Sequence, residues 1–507
     1  MRMIVLKFNF IIPFFIAFLF HWSPAVANGD ANETFVGAIA AVSTAETLTD
    51  PVVRRAMLED ALTTIEMIPK RFPRADISVD LVARRSIGQF SLSELERNVE
   101  QEKSAEKNYW TRCSVKLTSE CLISLAKGTS SAVNEPVFIA EMLIKEARAH
   151  YAHGEPRDGS RVLNAALQRG DGLRSESART SALEKIALIL FEQGQADAAE
   201  SVLAKLSGLR PGNTYYQLAR RTAVAGDFVE AQRLAERAGL RSGAAWDVVL
   251  ERLVYYGREE EAINLSNRGL GMNPGASMAV GFVERGDIEQ GLQIANSMAQ
   301  RQPDRFETER SRKLRVDVMY GKLVEALAEQ GEFQLAIDMA GKKSREYRGS
   351  GLIRIALAQA RAGALLDSVN TVERIRAKWA DGVSDSDYER IRLYEVLARI
   401  GEVDAAILGA SNEPELFRIE SMGRVAVALA EDGEVHFAIS SLREMEGDAY
   451  WAVRSFLFAA EQLTEGGYAA EARALLSEAL LVTQDVEFGY LRASRVFEIA
   501  ELSAGVK

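Results

Sequence analysis

Apolar positions along the chain follow a helical period, and the helical stretches end in a common way. In residues 182–194, ALEKIALILFEQG, an alanine lies among apolar residues and a glycine ends the run seven residues later. A glycine with a small residue five positions after it occurs ten times, and seven of these units also have the alanine. The glycines are Gly154, Gly194, Gly226, Gly257, Gly286, Gly331, Gly363, Gly401, Gly433 and Gly467. This spacing is an internal repeat and predicts an array of short units.

Each residue type in the unit has a physical role. An alanine within an apolar helix lets a second helix approach to contact distance. Glycine ends the helix because the position after the cap adopts a left-handed backbone, which glycine does without steric penalty. The small residue after the glycine lies where the second helix crosses the first. The pattern therefore predicts an all-α chain built from antiparallel helix pairs.

The turn between the two helices has a characteristic sequence. Residues 226–231, GDFVEA, and 331–336, GEFQLA, consist of glycine, an acidic residue, an aromatic residue, two variable residues and alanine. Over about residues 140–480 the chain resembles the tetratricopeptide repeat, a unit of about 34 residues. The family's Trp and Pro are largely missing, so other two-helix solenoid families stay open. The resemblance implies a right-handed superhelical solenoid of about ten antiparallel helix pairs, whose concave groove binds peptides or protein segments, and it implies no chemistry.

The N-terminus has the features of an export signal. Arg2 and Lys7 precede an apolar stretch at 8–20, and Ala-Val-Ala follows at 25–27. This order predicts a signal peptide cleaved before Asn28. The apolar stretch is shorter than the roughly 20 residues of a membrane span, and an uncleaved anchor is the alternative. We expect that no integral membrane segment remains after cleavage. We also expect the protein to be exported, with the periplasm as the first expectation and secretion as the alternative.

The patterns divide the chain into four segments. They are a signal peptide at 1–27, an N-terminal helical cap region at 28–135, the tetratricopeptide-like repeat array at 136–483 and a C-terminal capping helix at 484–507. Two longer intervals between glycines indicate insertions. One holds a basic stretch at 301–315, interpreted as a solvated helix extension or as a partner-docking patch. The other is expected to contain a loop within 379–390.

Charge and cysteine content narrow the classes of function. Residues 1–27 hold two basic and no acidic side chains, so the mature chain has 59 basic against 72 acidic side chains. This excess of negative charge argues against nucleic-acid binding.

Cys113 and Cys121 are the two cysteines, and in an oxidising compartment they predict a disulfide. A straight helix would hold them about 12 Å apart, so a bridge requires a bend, which Thr118 or Ser119 can supply by capping a new helix.

Candidate chemistry is sparse. His150 and His153 are spaced for one helix face, but no third metal ligand has a clear spacing, so no metal site is expected. Ser124 and Lys127 form Ser-x-x-Lys without the companion motifs of serine acyl enzymes. We therefore predict a protein that is not an enzyme and needs no cofactor.

Two groups of side chains recur at fixed positions before the repeat glycines. Arg179, Arg348 and Arg418 each precede their glycine by 15 residues, and we expect them to bind the carbonyl end or a carboxylate of the preceding helix. Positions ten and six before the glycine often meet ligand in tetratricopeptide grooves. The resemblance therefore suggests groove residues, basic in the first units and acidic in later ones, although scattered solvated residues are the alternative. They are Arg148, Glu184, Tyr216, Arg220, Asp247, Glu251, Glu325, Glu395 and Glu461.

Two functions follow from the sequence. The first is an exported non-catalytic scaffold that binds a protein or peptide segment of unknown identity in its concave groove. The second is a cell-wall-associated enzyme or accessory subunit acting on envelope glycans with groove carboxylates. The second function requires paired carboxylates about 5 to 9.5 Å apart, such as Glu251 with Asp247 or Glu325 in one deep cleft.

Overall fold

The computed structural model describes residues 24–47, 51–130, 133, 135–206, 211–300, 308–344, 348–380, 387–445 and 449–506. Its regular structure consists of 26 α-helices, a short 3-10 turn and a single β-bridge between Ile87 and Phe90. The all-α prediction is therefore confirmed for this part of the chain. Most of the predicted signal peptide, at residues 1–23, lies outside the described residues, as do 301–307 and 381–386 of the two predicted insertions.

The chain divides into two compact units, Met1–Tyr109 and Trp110–Lys507. The first contains α1 (Pro24–Glu46), α2 (Pro51–Arg71), α3 (Asp76–Val82) and most of α4 (Leu92–Lys116). Apolar side chains from these helices form a separate core. An ion pair between Arg55 and Glu106 joins α2 to α4. The boundary lies within α4, ahead of the residue 135 that the sequence suggested.

The second unit is the repeat array. In chain order its helices are α5 (Ser119–Ser130), α6 (Pro136–Ala152), α7 (Pro156–Asp171), α8 (Glu176–Glu192), α9 (Ala196–Leu203), α10 (Pro211–Val224), α11 (Phe228–Arg237), α12 (Ser242–Tyr255), α13 (Glu259–Asn267), α14 (Pro274–Arg285), α15 (Ile288–Gln300), α16 (Glu309–Glu329), α17 (Phe333–Lys342), α18 (Arg348–Arg361), α19 (Leu365–Ala380), α20 (Asp387–Arg399), α21 (Val403–Ser411), α22 (Glu415–Glu431), α23 (Val435–Arg443), α24 (Ala449–Glu465), α25 (Ala469–Thr483) and α26 (Gly489–Ser503). The helix before each repeat glycine is called the A helix and the helix after it the B helix.

The repeat glycines occupy the turns that the sequence predicts for them. Every one of the ten has a positive φ, between 72° for Gly194 and 98° for Gly286. Each stands between two consecutive helices, the first between α6 and α7 and the last between α24 and α25. The small residues beside these turns, such as Ala219 and Ala231, are fully buried. The helix-ending role of the glycines is therefore confirmed.

Two of the three arginines predicted at the start of an A helix, Arg348 and Arg418, bind a backbone carbonyl at the end of the preceding B helix or in the loop after it. Arg348 Nη2 donates to the carbonyl oxygen of Gly341 at 3.0 Å. Arg418 Nε donates to the carbonyl oxygen of Glu413 at 3.3 Å. The predicted role of this position in joining adjacent units is confirmed for these two residues.

The predicted disulfide is present and sits at a bend. Cys113 and Cys121 are bonded, with their Cα atoms 5.6 Å apart. Between them α4 ends at Lys116, Leu117 adopts a positive φ of 47°, and α5 begins at Ser119. The side chain of Ser119 donates to Glu155 at 2.8 Å.

The last helix of the chain packs on the first helices of the second unit. α26 contacts α5 and α6 as well as α24 and α25. The rings of Phe138 in α6 and Tyr490 in α26 stack with their centroids 4.2 Å apart, and Lys145 pairs with Glu498. The array therefore closes on itself, whereas the sequence suggested that residues 484–507 end it as a cap.

Replacing Ala219 by leucine tests the helix crossing. Ala219 is fully buried, so we expect Ala219→Leu to lower the free energy of unfolding by about 1 to 3 kcal/mol through overpacking. Ala198→Leu, at an exposed position of α9, is the matched control and should change it by less than about 0.5 kcal/mol. Equal urea midpoints for the two variants would contradict the assigned crossing.

Candidate functional site

Five A helices line a cleft in the second unit. Its two adjoining cavities have volumes of about 490 and 660 Å³. Arg361, Arg424 and Gln462 line both cavities, so the two form one continuous space. Most lining residues come from α16, α18, α20, α22 and α24, and the others come from the turns after these helices and from the first residues of α17 and α19. We call this space the A-helix cleft.

A buried carboxylate organises the floor of the A-helix cleft. Glu395 is only 1% exposed, and its Oε1 accepts from Arg361 at 2.7 Å and from Arg399 at 3.1 Å. Its Oε2 accepts from Arg424 at 3.1 Å. Burial opposes the ionisation of Glu395, but the three guanidinium charges outweigh it and hold its pKa below the ordinary value. The charges also keep the three arginine side chains in fixed positions.

Further carboxylates balance the remaining arginines of the cleft. Arg399 also contacts Glu431 at 2.5 Å. Arg354 pairs with Glu325, and Arg392 lies 3.9 Å from the same carboxylate. Guanidinium and carboxylate groups thus alternate along the wall, so the cleft presents mixed charge and many hydrogen-bonding groups.

Two of the suggested groove residues, Glu325 and Glu395, line the A-helix cleft. Glu251 is buried on α12, where it contacts Arg252 at 3.1 Å and Lys322 at 3.4 Å. Each of these three acidic residues therefore has a basic partner on its own or another A helix. The suggested change from a basic to an acidic groove along the array does not describe this surface, because paired cations offset the later carboxylates.

Arg148 and Glu461 line a third cavity of about 300 Å³. Here α6 and α26 meet α22 and α24. Arg148 lies 3.7 Å from Glu192 and 3.5 Å from Glu501. Partial burial and the charges of Glu465 and Glu498 raise the pKa of Glu461.

The remaining suggested groove residues lie on α8, α10 and α12. Asp247 accepts hydrogen bonds from the backbone N–H of Asn273, at 2.9 and 3.2 Å, and so fixes the start of α14. Burial raises its pKa, and the backbone hydrogen bonds oppose the rise. Tyr216 packs partly buried against the apolar core. Arg220 is exposed and Glu184 is half-buried.

The sequence interpretation overlooked a basic position nine residues before the glycine. It is basic in six of the ten units, which the same repeat register would have revealed. In the structure this position supplies the partners of Glu251, Glu325 and Glu395. The six residues are Lys145, Lys185, Lys322, Arg354, Arg392 and Arg424.

The histidines and the Ser-x-x-Lys lysine make structural contacts. His150 Nδ1 lies 2.6 Å from Glu155, and His153 Nε2 donates to the carbonyl oxygen of Ala500 at 2.7 Å. Lys127 pairs with Glu146 at 2.7 Å. Within the described ranges, no group of three or more His, Cys, Asp or Glu side chains is placed to hold a metal ion.

No helix in the described part of the chain combines the length and apolar character that crossing a membrane requires.

Comparison with known proteins does not assign the chain to a family. No protein-family model and no curated protein matches the sequence. Among solved structures, the chain is similar to a "circular tandem repeat protein with novel repeat topology and enhanced subunit contact surfaces", at 16% identity, covering 93% of this chain and 99% of that chain, with a TM-score of 0.14. A TM-score this low establishes no shared fold. On its own helices and repeated turns, the chain is an all-helical repeat protein.

Proposed function

We propose that the protein is a non-catalytic helical-repeat scaffold that binds a protein or peptide segment in the A-helix cleft. The supporting observation is the cleft itself, in which side chains from five successive A helices surround one space. Its guanidinium and carboxylate groups are held by mutual ion pairs, as around Glu395. Groups fixed in this way lose little conformational entropy when a partner makes hydrogen bonds to them.

We further propose where in the cell the protein is located and to which type its repeats belong. We place the protein outside the cytoplasm, most readily in a bacterial periplasm, on the basis of the N-terminal sequence and of the Cys113–Cys121 disulfide. We assign the repeats to the tetratricopeptide type, with ten antiparallel helix pairs in a right-handed array, on the basis of their turn sequences and spacing. Charge argues against a nucleic-acid partner.

The glycan-processing alternative requires a catalytic pair of carboxylates, and its suggested members have other contacts. Asp247 holds the backbone of Asn273, and Glu251 is buried against Arg252 and Lys322. Glu325, on α16, is paired with Arg354. No observation favours this function, and we expect the purified protein to leave isolated sacculi intact.

Site-specific photocrosslinking tests the proposed scaffold. A photoreactive phenylalanine analogue at Gln462, which lines both cavities of the cleft, should crosslink one discrete partner in cells of the source organism. The matched control places the analogue at Gln334, an exposed residue of the B helix α17, where we expect no adduct. Equal adducts at both positions, or none at Gln462, would refute binding in the cleft.

A further inference from the structure

The last helix of the chain has the sequence register of an A helix. In α26, Arg492 and Ala500 stand eight residues apart, as Arg348 and Ala356 do in α18. Arg492 Nη2 donates to the carbonyl oxygen of Val486 in the preceding loop at 2.7 Å, which is the contact that the A-helix arginines make. Ala500 is fully buried like the repeat alanines. α26 is therefore built as a member of the array.

α26 packs against α5 and α6 as an A helix packs against its own B helix and against the next A helix. α5 touches α6 only lightly, as a B helix touches the following A helix. α26 packs on α24 much less extensively than it packs on α6, about as lightly as α8 packs on its neighbours α6 and α10.

We propose that the two ends of the array jointly form one further helix pair, with α26 as the A helix and α5 as the B helix. This composite pair is a clasp: it is anchored to α6 and closes the array at the seam between α24 and α26. Because α5 and α26 are far apart in sequence, the pair forms only when the whole array has folded.

The seam between α24 and α26 is the weaker side of the clasp. It contains the third cavity, of about 300 Å³, whose walls include Glu461 of α24 and Glu498 and Glu501 of α26. Arg148, Arg454 and Arg495 line the same cavity, so the two helices face each other there across an open space with charges of both signs instead of a packed contact. Arg495 bridges the seam by donating to the hydroxyl oxygen of Tyr450 at 3.0 Å.

The anchored side has complementary contacts instead. Lys145 of α6 pairs with Glu498, and the rings of Phe138 and Tyr490 stack. When the array opens, α26 therefore stays with α5 and α6 and separates from α24. This opening would admit a partner segment to the A-helix cleft, a consequence that rests on the proposed function.

Hydrogen exchange distinguishes the clasp from an ordinary C-terminal cap. Phe138→Ala removes the stack on Tyr490 and should speed exchange at least about tenfold in α26 and α5 together, while α24 and α25 keep their protection. Phe417→Ala is the matched control, because Phe417 is also half-buried and also lies 16 residues before its glycine. It should affect α22 and its neighbours only. Faster exchange of α26 together with α24 and α25, with α5 unchanged, would overturn the clasp.

A designed disulfide tests whether the seam controls entry. A Cβ built on Gly505 lies 2.8 Å from Cγ2 of Thr464, so Thr464→Cys with Gly505→Cys places two cysteines within bridging reach across the seam. In the oxidised double variant, crosslinking from Gln462 should fall severalfold, and each single-cysteine variant should crosslink as the unmodified protein does. Unchanged crosslinking in the locked variant would refute entry through the seam and leave cleft binding intact. Absent crosslinking in the unlocked protein would instead refute the proposed function.

Discussion

Glu395→Gln is expected to lower the free energy of unfolding by about 3 to 5 kcal/mol. The carboxylate is the shared counter-ion of Arg361, Arg399 and Arg424. Glutamine keeps the size and some hydrogen bonds but removes the charge. Arg399, whose side chain is only 7% exposed, would then keep Glu431 as its remaining carboxylate partner.

Urea unfolding followed by circular dichroism gives the measurement. Glu373→Gln is the matched control, because the same change there affects an exposed pair with Arg376. Its effect should stay below about 0.5 kcal/mol. If both variants unfolded at the same urea concentration, the Glu395 cluster would have no structural role.

The Glu395 cluster also makes the stability of the protein depend on pH in a defined direction. Its arginines hold the pKa of Glu395 below the ordinary value of 4.5 against the effect of burial. A group with a lowered folded-state pKa contributes full stability above its unfolded-state pKa and loses it as the pH falls through the folded-state value. The stability difference between the native protein and Glu395→Gln should therefore persist at neutral pH and shrink at pH values well below 4.5.

Local requirements explain which features were predictable from the sequence. A positive φ favours glycine at one position, so Gly154, Gly286 and the other repeat glycines reveal the turn within each helix pair without knowledge of the rest of the fold. The bend at Leu117 follows in the same way from the geometric limit on a disulfide between Cys113 and Cys121.

Long-range pairing explains what was missed. Glu395 and Glu325 line the A-helix cleft. Most of the residues that bind them come from other A helices, and only comparison of the units reveals the common position of those residues. The contact of Lys145 with Glu498 joins residues 353 positions apart. No local pattern marks such a contact, so the sequence suggested a terminal cap where the structure has a closing helix.

The disulfide supports the surface on which the C-terminal helices dock. Inside the bridged loop, the carbonyl oxygen of Ser114 accepts from the hydroxyl of Ser477 at 2.6 Å. The carbonyl oxygen of Lys116 accepts from Arg473 at 3.2 Å. Both donors belong to α25. In an array whose units contact only their sequence neighbours, loss of the disulfide would destabilise the N-terminal end alone. Because α25 contacts the bridged loop, we expect the loss to destabilise the last helices as well.

Cys113→Ser with Cys121→Ser is therefore expected to loosen both ends of the array. Closing so short a loop stabilises the fold by roughly 2 to 3 kcal/mol on chain entropy, and the loss should appear in urea unfolding. Hydrogen exchange should rise in α5, α25 and α26, while α10 to α16 keep their protection. Ser477→Ala, which removes one docking hydrogen bond and keeps the disulfide, should show a smaller change in the same helices. Unchanged exchange in α25 and α26 of the double variant would show that the disulfide does not stabilise the contact between the two ends of the array. Alkylation of both cysteines in the unreduced native protein would show that the disulfide does not form.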